Sequence, residues 1–75
     1  MGAVTEPAGD PCEAISAYYR VPAWVGARVR YVREHRNGTI VGADGAYLLI
    51  LLDGDTLPKA YHPTWMVLYF GERQP

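Results

Sequence analysis

Between Gly26 and Phe70 the chain breaks into five short strand-like pieces, GARVRYV, RNGTIVG, ADGAYLLILLDGD, KAYHPTW and MVLYF, with turns written in Gly, Asn and Asp. Short runs of β-branched and aromatic residues bounded by such turn residues read as strands. So many of them in so little chain point to a small closed or nearly closed β-barrel. The expected strands are Arg28–Val32, Thr39–Val41, Ala46–Leu52, Lys59–His62 and Met66–Phe70. Asn37-Gly38 is expected to form the first hairpin turn, because both residues tolerate positive φ. Ala43-Asp44-Gly45 and Asp53-Gly54-Asp55 read as the next two turns, and Pro63-Thr64-Trp65 as a 3₁₀ turn.

In the first strand Val29 and Tyr31 share one face, and Arg28 and Arg30 the other. The third strand is different: Tyr47 to Leu52 holds no charged residue on either face. An antiparallel strand with one wet face alternates, so something is expected to cover its second face, either a helix or another subunit.

Ahead of the strands, residues 1–9 are poor in bulky apolar groups and are expected to be a disordered tail. A helix start follows. Asp10 suits the cap, Pro11 the first helical position, and Glu13 stands at capping-box spacing. The helix is expected to run from Pro11 to about Tyr19, with Cys12, Ile15 and Tyr19 on one face, and to stop before Val21-Pro22, because the residue preceding proline avoids the α region. So short a helix is not stable alone in water and must dock on the strands. Residues 10–75 then form a single domain.

A chain of 75 residues buries only ~60–65% of its unfolded surface, so extra stability is expected from aromatic packing or oligomerisation. Cys12 is the sole cysteine, which excludes an intrachain disulfide framework. The start MGAVTEPAGD has no basic region followed by an apolar one, so no signal peptide is expected. The longest apolar run, Ala46 to Leu52, is far short of a membrane-spanning helix. No membrane is expected, and a cytoplasmic location is.

Net charge is −1, which disfavours attachment to nucleic acid by bulk charge. The charges are unevenly distributed, however. Arg20, Arg28, Arg30, Arg33 and Arg36 stand against Glu34 alone, whereas Asp44, Asp53, Asp55 and Glu72 later face only Lys59 and Arg73. One basic side and one acidic side are the expectation.

Five strands, a long third one and a Pro-containing turn before the last together resemble an SH3-like barrel. The expected fold is therefore mainly β, a five-stranded SH3-like barrel with a short N-terminal α-helix. The opening Gly26-x-Arg28-Val29-Arg30 followed by Gly38-x-Ile40-Val41-Gly42 is similar to the first hairpin of several such families, among them the KOW-type module, whose internal glycines are absent here. The same two stretches resemble the plasmid-encoded type II dihydrofolate reductases, short SH3-like chains that act as tetramers. That family's Val-Gln-Ile-Tyr-Pro active-site stretch corresponds to Lys59-Ala60-Tyr61-His62-Pro63, which holds no Gln. The likeness implies a shared barrel without shared catalytic residues. The junction Tyr19 to Ala23 and the turn Tyr61 to Trp65 also resemble small phage and mobile-element proteins.

Two surfaces stand out as candidate sites. Tyr61, His62 and Trp65 form either an aromatic groove for a protein partner or core filling, which aromatics dominate in small domains. The loop Arg-Glu-His-Arg-Asn lacks the acidic stretch that accompanies proline-peptide recognition. Arg28, Arg30, Arg33 and Arg36 form either a phosphate-gripping strip, with stacking from Tyr31 or Tyr47, or a charged edge that prevents strand pairing. Cys12, His35 and His62 match no zinc spacing, and no nucleophile elbow, phosphate loop or metalloprotease motif is present. The expected function is a non-catalytic, protein-binding and oligomeric interaction module without cofactor. A nucleic-acid-binding module is the alternative, and a tetrameric reductase-like enzyme a further one.

Overall fold

The computed structural model describes residues 9–70. Helix α1 (Glu13–Tyr19) precedes five strands, β1 (Arg28–Tyr31), β2 (Arg36–Asp44), β3 (Tyr47–Leu52), β4 (Lys59–Tyr61) and β5 (Val67–Tyr69). All neighbours pair antiparallel in one sheet of order β4-β3-β2-β1-β5. The fold is mainly β with one short helix. Residues 1–8 of the expected tail, and the charges Glu72 and Arg73, lie outside the described residues.

Strand alternation builds the core. Leu48, Ile50 and Leu52 of β3 point inward and are buried with Val29, Ile40 and Val67. Each such side chain removed from water contributes roughly 1.5–3 kcal/mol. The sheet curls over this cluster. β1 and β4 are separated by β2 and β3, which in a flat sheet means three strand spacings, roughly 14 Å, yet the Tyr31 and Tyr61 rings meet at 4.8 Å. The bulge between Ile40 and Gly42 adds local twist and bend. The two edge strands, β4 and β5, are not joined to each other by pairing.

The helix seals the same core. Cys12 and Ile15 belong to the buried cluster, so α1 does not cover the second face of β3. On that face Leu49 and Leu51 are half-buried and Tyr47 is exposed. Asp10 fastens the helix start by accepting from the amides of Cys12 (2.8 Å) and Val25 (3.1 Å). Pro11 and Cys12 form a turn ahead of the helix rather than its first residues. The helix does end at Tyr19, two residues before Val21. Arg20 takes a left-handed conformation (φ 58°) and its amide bonds to Ser16 O. The Ser16 hydroxyl also donates to Val21 O at 2.6 Å.

Two expected turns are corrected. Asn37-Gly38 is not a turn; both residues lie within β2, opposite Arg30 and Val29. The chain reverses earlier, through a 3₁₀ turn over Val32–Glu34 closed by left-handed His35. Gly38 is needed for a different reason: a Cβ there would stand 2.8 Å from Leu51 O, so the strands approach too closely for a side chain. The second turn falls on Gly45-Ala46, because β2 continues to Asp44. Pro63-Thr64-Trp65 is a single turn as expected, closed by a bond of 3₁₀ spacing from Trp65 N to His62 O at 3.2 Å.

Candidate functional site

The register of β3 and β4 decides where the aromatic residues go. Tyr61 stands opposite buried Leu48 and therefore faces inward, packing on the core and against Tyr31. Burial raises its phenol above the ordinary value, with smaller contributions from the charges of Glu34 and Asp55. His62, one residue on, points the other way. There it meets Tyr47 of β3 at 6.0 Å and Tyr19 of α1 at 5.3 Å, both edge-on. Trp65 stacks on its ring at 4.3 Å with the planes only 14° apart. The structure thus unites His62 and Trp65 and assigns Tyr61 to a separate aromatic pair.

The turn is held from both sides. Pro63 is buried, and its carbonyl accepts from the Tyr69 hydroxyl at 2.6 Å. His62 Nδ1 accepts from the Thr64 amide at 3.1 Å, which puts the proton of the neutral ring on Nε2. This fixed turn presents Trp65 with 65% of its surface in solvent. Beside it, Tyr18 leans edge-on against Tyr19 at 4.8 Å and is itself 80% exposed. Ala14, Ile15, Tyr18, Tyr19 and Ala46 line a shallow apolar pocket between α1 and the β2–β3 turn. Tyr18, Tyr19 and Tyr47 were not expected in this site. The signal for them was the tyrosine pair at the helix end, but their meeting with His62 depends on how α1 docks.

The arginine strip is organised differently from its sequence. Arg28 forms a forked ion pair with Asp53 (2.7 and 3.0 Å) and donates to Thr39 Oγ1 at 2.8 Å. Arg36 donates to Asp55 at 3.0 Å, to Asp53 O at 2.6 Å and to Glu34 at 3.3 Å. Arg30 donates to Asn37 Oδ1 at 3.0 Å. Arg33 is exposed and forms no ion pair among the described residues. Acids that lie far along the sequence therefore fold onto Arg28 and Arg36, so at these two residues the expected basic side is locally neutralised. Asp53 is held below the ordinary carboxylate range chiefly by the Arg28 hydrogen bonds.

Cys12 is fully buried, and its thiol lies 3.4 Å from Gly42 O as a donor. Burial, reinforced by nearby Asp10, pushes it up to about 11. A thiol held protonated is a poor nucleophile and a poor ligand. Among the described residues no group of three His, Cys, Asp or Glu side chains is placed to hold a metal ion, and no helix is long and apolar enough to cross a membrane.

These features define a small antiparallel β-sheet protein with a docked helix and an exposed aromatic surface. No family model, curated protein or solved structure matches the chain.

Proposed function

We propose that this chain is a non-catalytic protein-binding module with an SH3-like barrel architecture. Its binding surface is the cluster of Tyr18, Tyr19, Tyr47, His62 and Trp65. The carrying observation is the fixed exposure of Trp65 on the His62 ring. A flat aromatic pair held by a rigid turn offers large contact area at little entropy cost, the property that makes Trp and Tyr dominate interface energetics. The apolar pocket beside it suits an aliphatic or aromatic side chain of an extended partner segment. The strand order β4-β3-β2-β1-β5 and the curl that brings Tyr31 to Tyr61 support the barrel. Tyr61 contributes to the wall behind the surface rather than to the contact.

The nucleic-acid reading through Arg28, Arg30, Arg33 and Arg36 draws less support. Phosphate binding rests on cations free to replace counterions, and Arg28 and Arg36 already hold carboxylates.

The test is a random-peptide display selection on the full chain, with Trp65→Ala as the counter-selecting protein. Peptides that bind the wild type, lose at least tenfold affinity on Trp65→Ala, and shift amides of Tyr18, Tyr19, Tyr47 and Trp65 are the expected result. A parallel amide titration with short single-stranded DNA and RNA at two salt concentrations tests the alternative. Salt-sensitive shifts at Arg30 and Arg33, with no Trp65-dependent peptide, overturn the protein-binding reading.

A further inference from the structure

The two edges of the sheet are built differently. β4 is entered through Pro58 and begins with Lys59, two devices that discourage pairing with another chain. β5 has neither. It reads Val67-Leu68-Tyr69 between Met66 and Phe70, without charge, proline or bulge, and among the described residues it pairs only with β1.

The hydrogen-bond phase shows what that edge offers. Val32 N donates to Met66 O at 2.8 Å and Phe70 N to Arg28 O at 3.3 Å. Residues 66, 68 and 70 therefore turn their backbone groups toward β1, and the N–H and C=O of Val67 and Tyr69 point outward. On the outer face Leu68 leaves 55% of its surface in solvent, and flanking Phe70 and left-handed Met66 (φ 63°) leave 54% and 56%.

We infer that the free edge of β5 pairs antiparallel with β5 of a second copy of this chain, about a two-fold axis at Leu68. The geometry is self-complementary, as a two-fold interface requires. Val67 of one copy stands opposite Tyr69 of the other, so the four outward backbone groups on each copy are all paired. Leu68 meets its own counterpart, and Phe70 flanks that contact. No charge on the strand faces a like charge across the axis. Counting these side chains and the paired backbone, two copies together remove on the order of 600 Å² from water, below the usual size of a specific interface. The dimer is accordingly weak, forming between micromolar and millimolar concentration.

Sedimentation velocity on the full chain across that range, with amide exchange on the same samples, tests this. A monomer–dimer equilibrium is expected, with exchange at Val67 and Tyr69 slowing as concentration rises and Leu68, already bonded to Arg30, unaffected. Leu68→Lys weakens the dimer at least tenfold, whereas Leu57→Lys, an exposed leucine outside β5, leaves it unchanged. A monomer throughout overturns the inference, as does a dimer that survives Leu68→Lys. Concentration-independent protection of Val67 and Tyr69 also overturns it, since the edge would then be covered by the chain itself. The exchange arm needs no variant and decides the matter if Leu68→Lys fails to fold. Neither result bears on the aromatic surface.

Discussion

Gly38 shows how a residue can be conspicuous in the sequence for one reason and necessary in the structure for another. Next to Asn37 it has the composition of a hairpin turn, yet its backbone is extended and its neighbours are Leu51 O, the Leu52 side chain and Ile50 Cγ2, all within 3.0 Å of where a Cβ would stand. One of these is backbone and cannot rotate away. Gly38→Ala is therefore expected to cost about 1–3 kcal/mol, the range for forced overpacking. Gly42→Ala, whose Cβ would meet only Leu49 Cδ1 at 3.6 Å, stays within about 0.5 kcal/mol. Urea unfolding of the two variants checks the contrast. Local composition misplaced this turn because Asn-Gly reports what the dipeptide tolerates, whereas the space around Gly38 is set by residues more than ten positions away.

Among the elements, α1 was the most legible and its docking the least. The stop at Tyr19 and the inward Cys12 and Ile15 follow from spacing, whereas the start does not: Cys12 and not Asp10 is the N-cap, and Glu13 is the first helical residue. What the sequence does not contain is the angle at which seven residues settle on the sheet, and that angle brings Tyr19 to His62. The strands were legible in number and rough position, less so at their ends, since β2 runs through two expected turns. Cys12 allows the helix contact to be measured. Its folded thiol holds a proton up to about 11 against an ordinary 9.0, so its contribution is complete below about pH 9 and is lost as pH rises toward 11. The expected loss is on the order of 2 kcal/mol, and Cys12→Ala should flatten that part of the alkaline limb in urea midpoints. Tyr69, raised to about 12 from 10.0 chiefly by burial, extends the decline to higher pH in both proteins.

For the whole molecule, folding closes part of the sequence's apparent charge separation, at Arg28 and Arg36. The curl of the sheet and the β3–β4 connection carry Asp53 and Asp55 onto Arg28 and Arg36, tying that connection to β1 and β2. Because the Asp53 carboxyl is held below its ordinary value, the stabilisation it brings is present above the usual carboxylate range and is lost as pH falls through the folded value. Asp53→Asn should lower the urea midpoint at neutral pH and make it less sensitive to acidification, with the gap from wild type closing as pH falls below the usual carboxylate range; added salt should narrow the same gap. The placement of the two tryptophans has a spectroscopic consequence. Trp24 packs against the core, whereas Trp65 lies in the open on an imidazole ring. Their emission should separate into a shielded component that follows unfolding and a quencher-accessible one that follows occupation of the aromatic surface. The protein thus carries, without any label, one fluorescent reporter for its fold and another for its proposed partner.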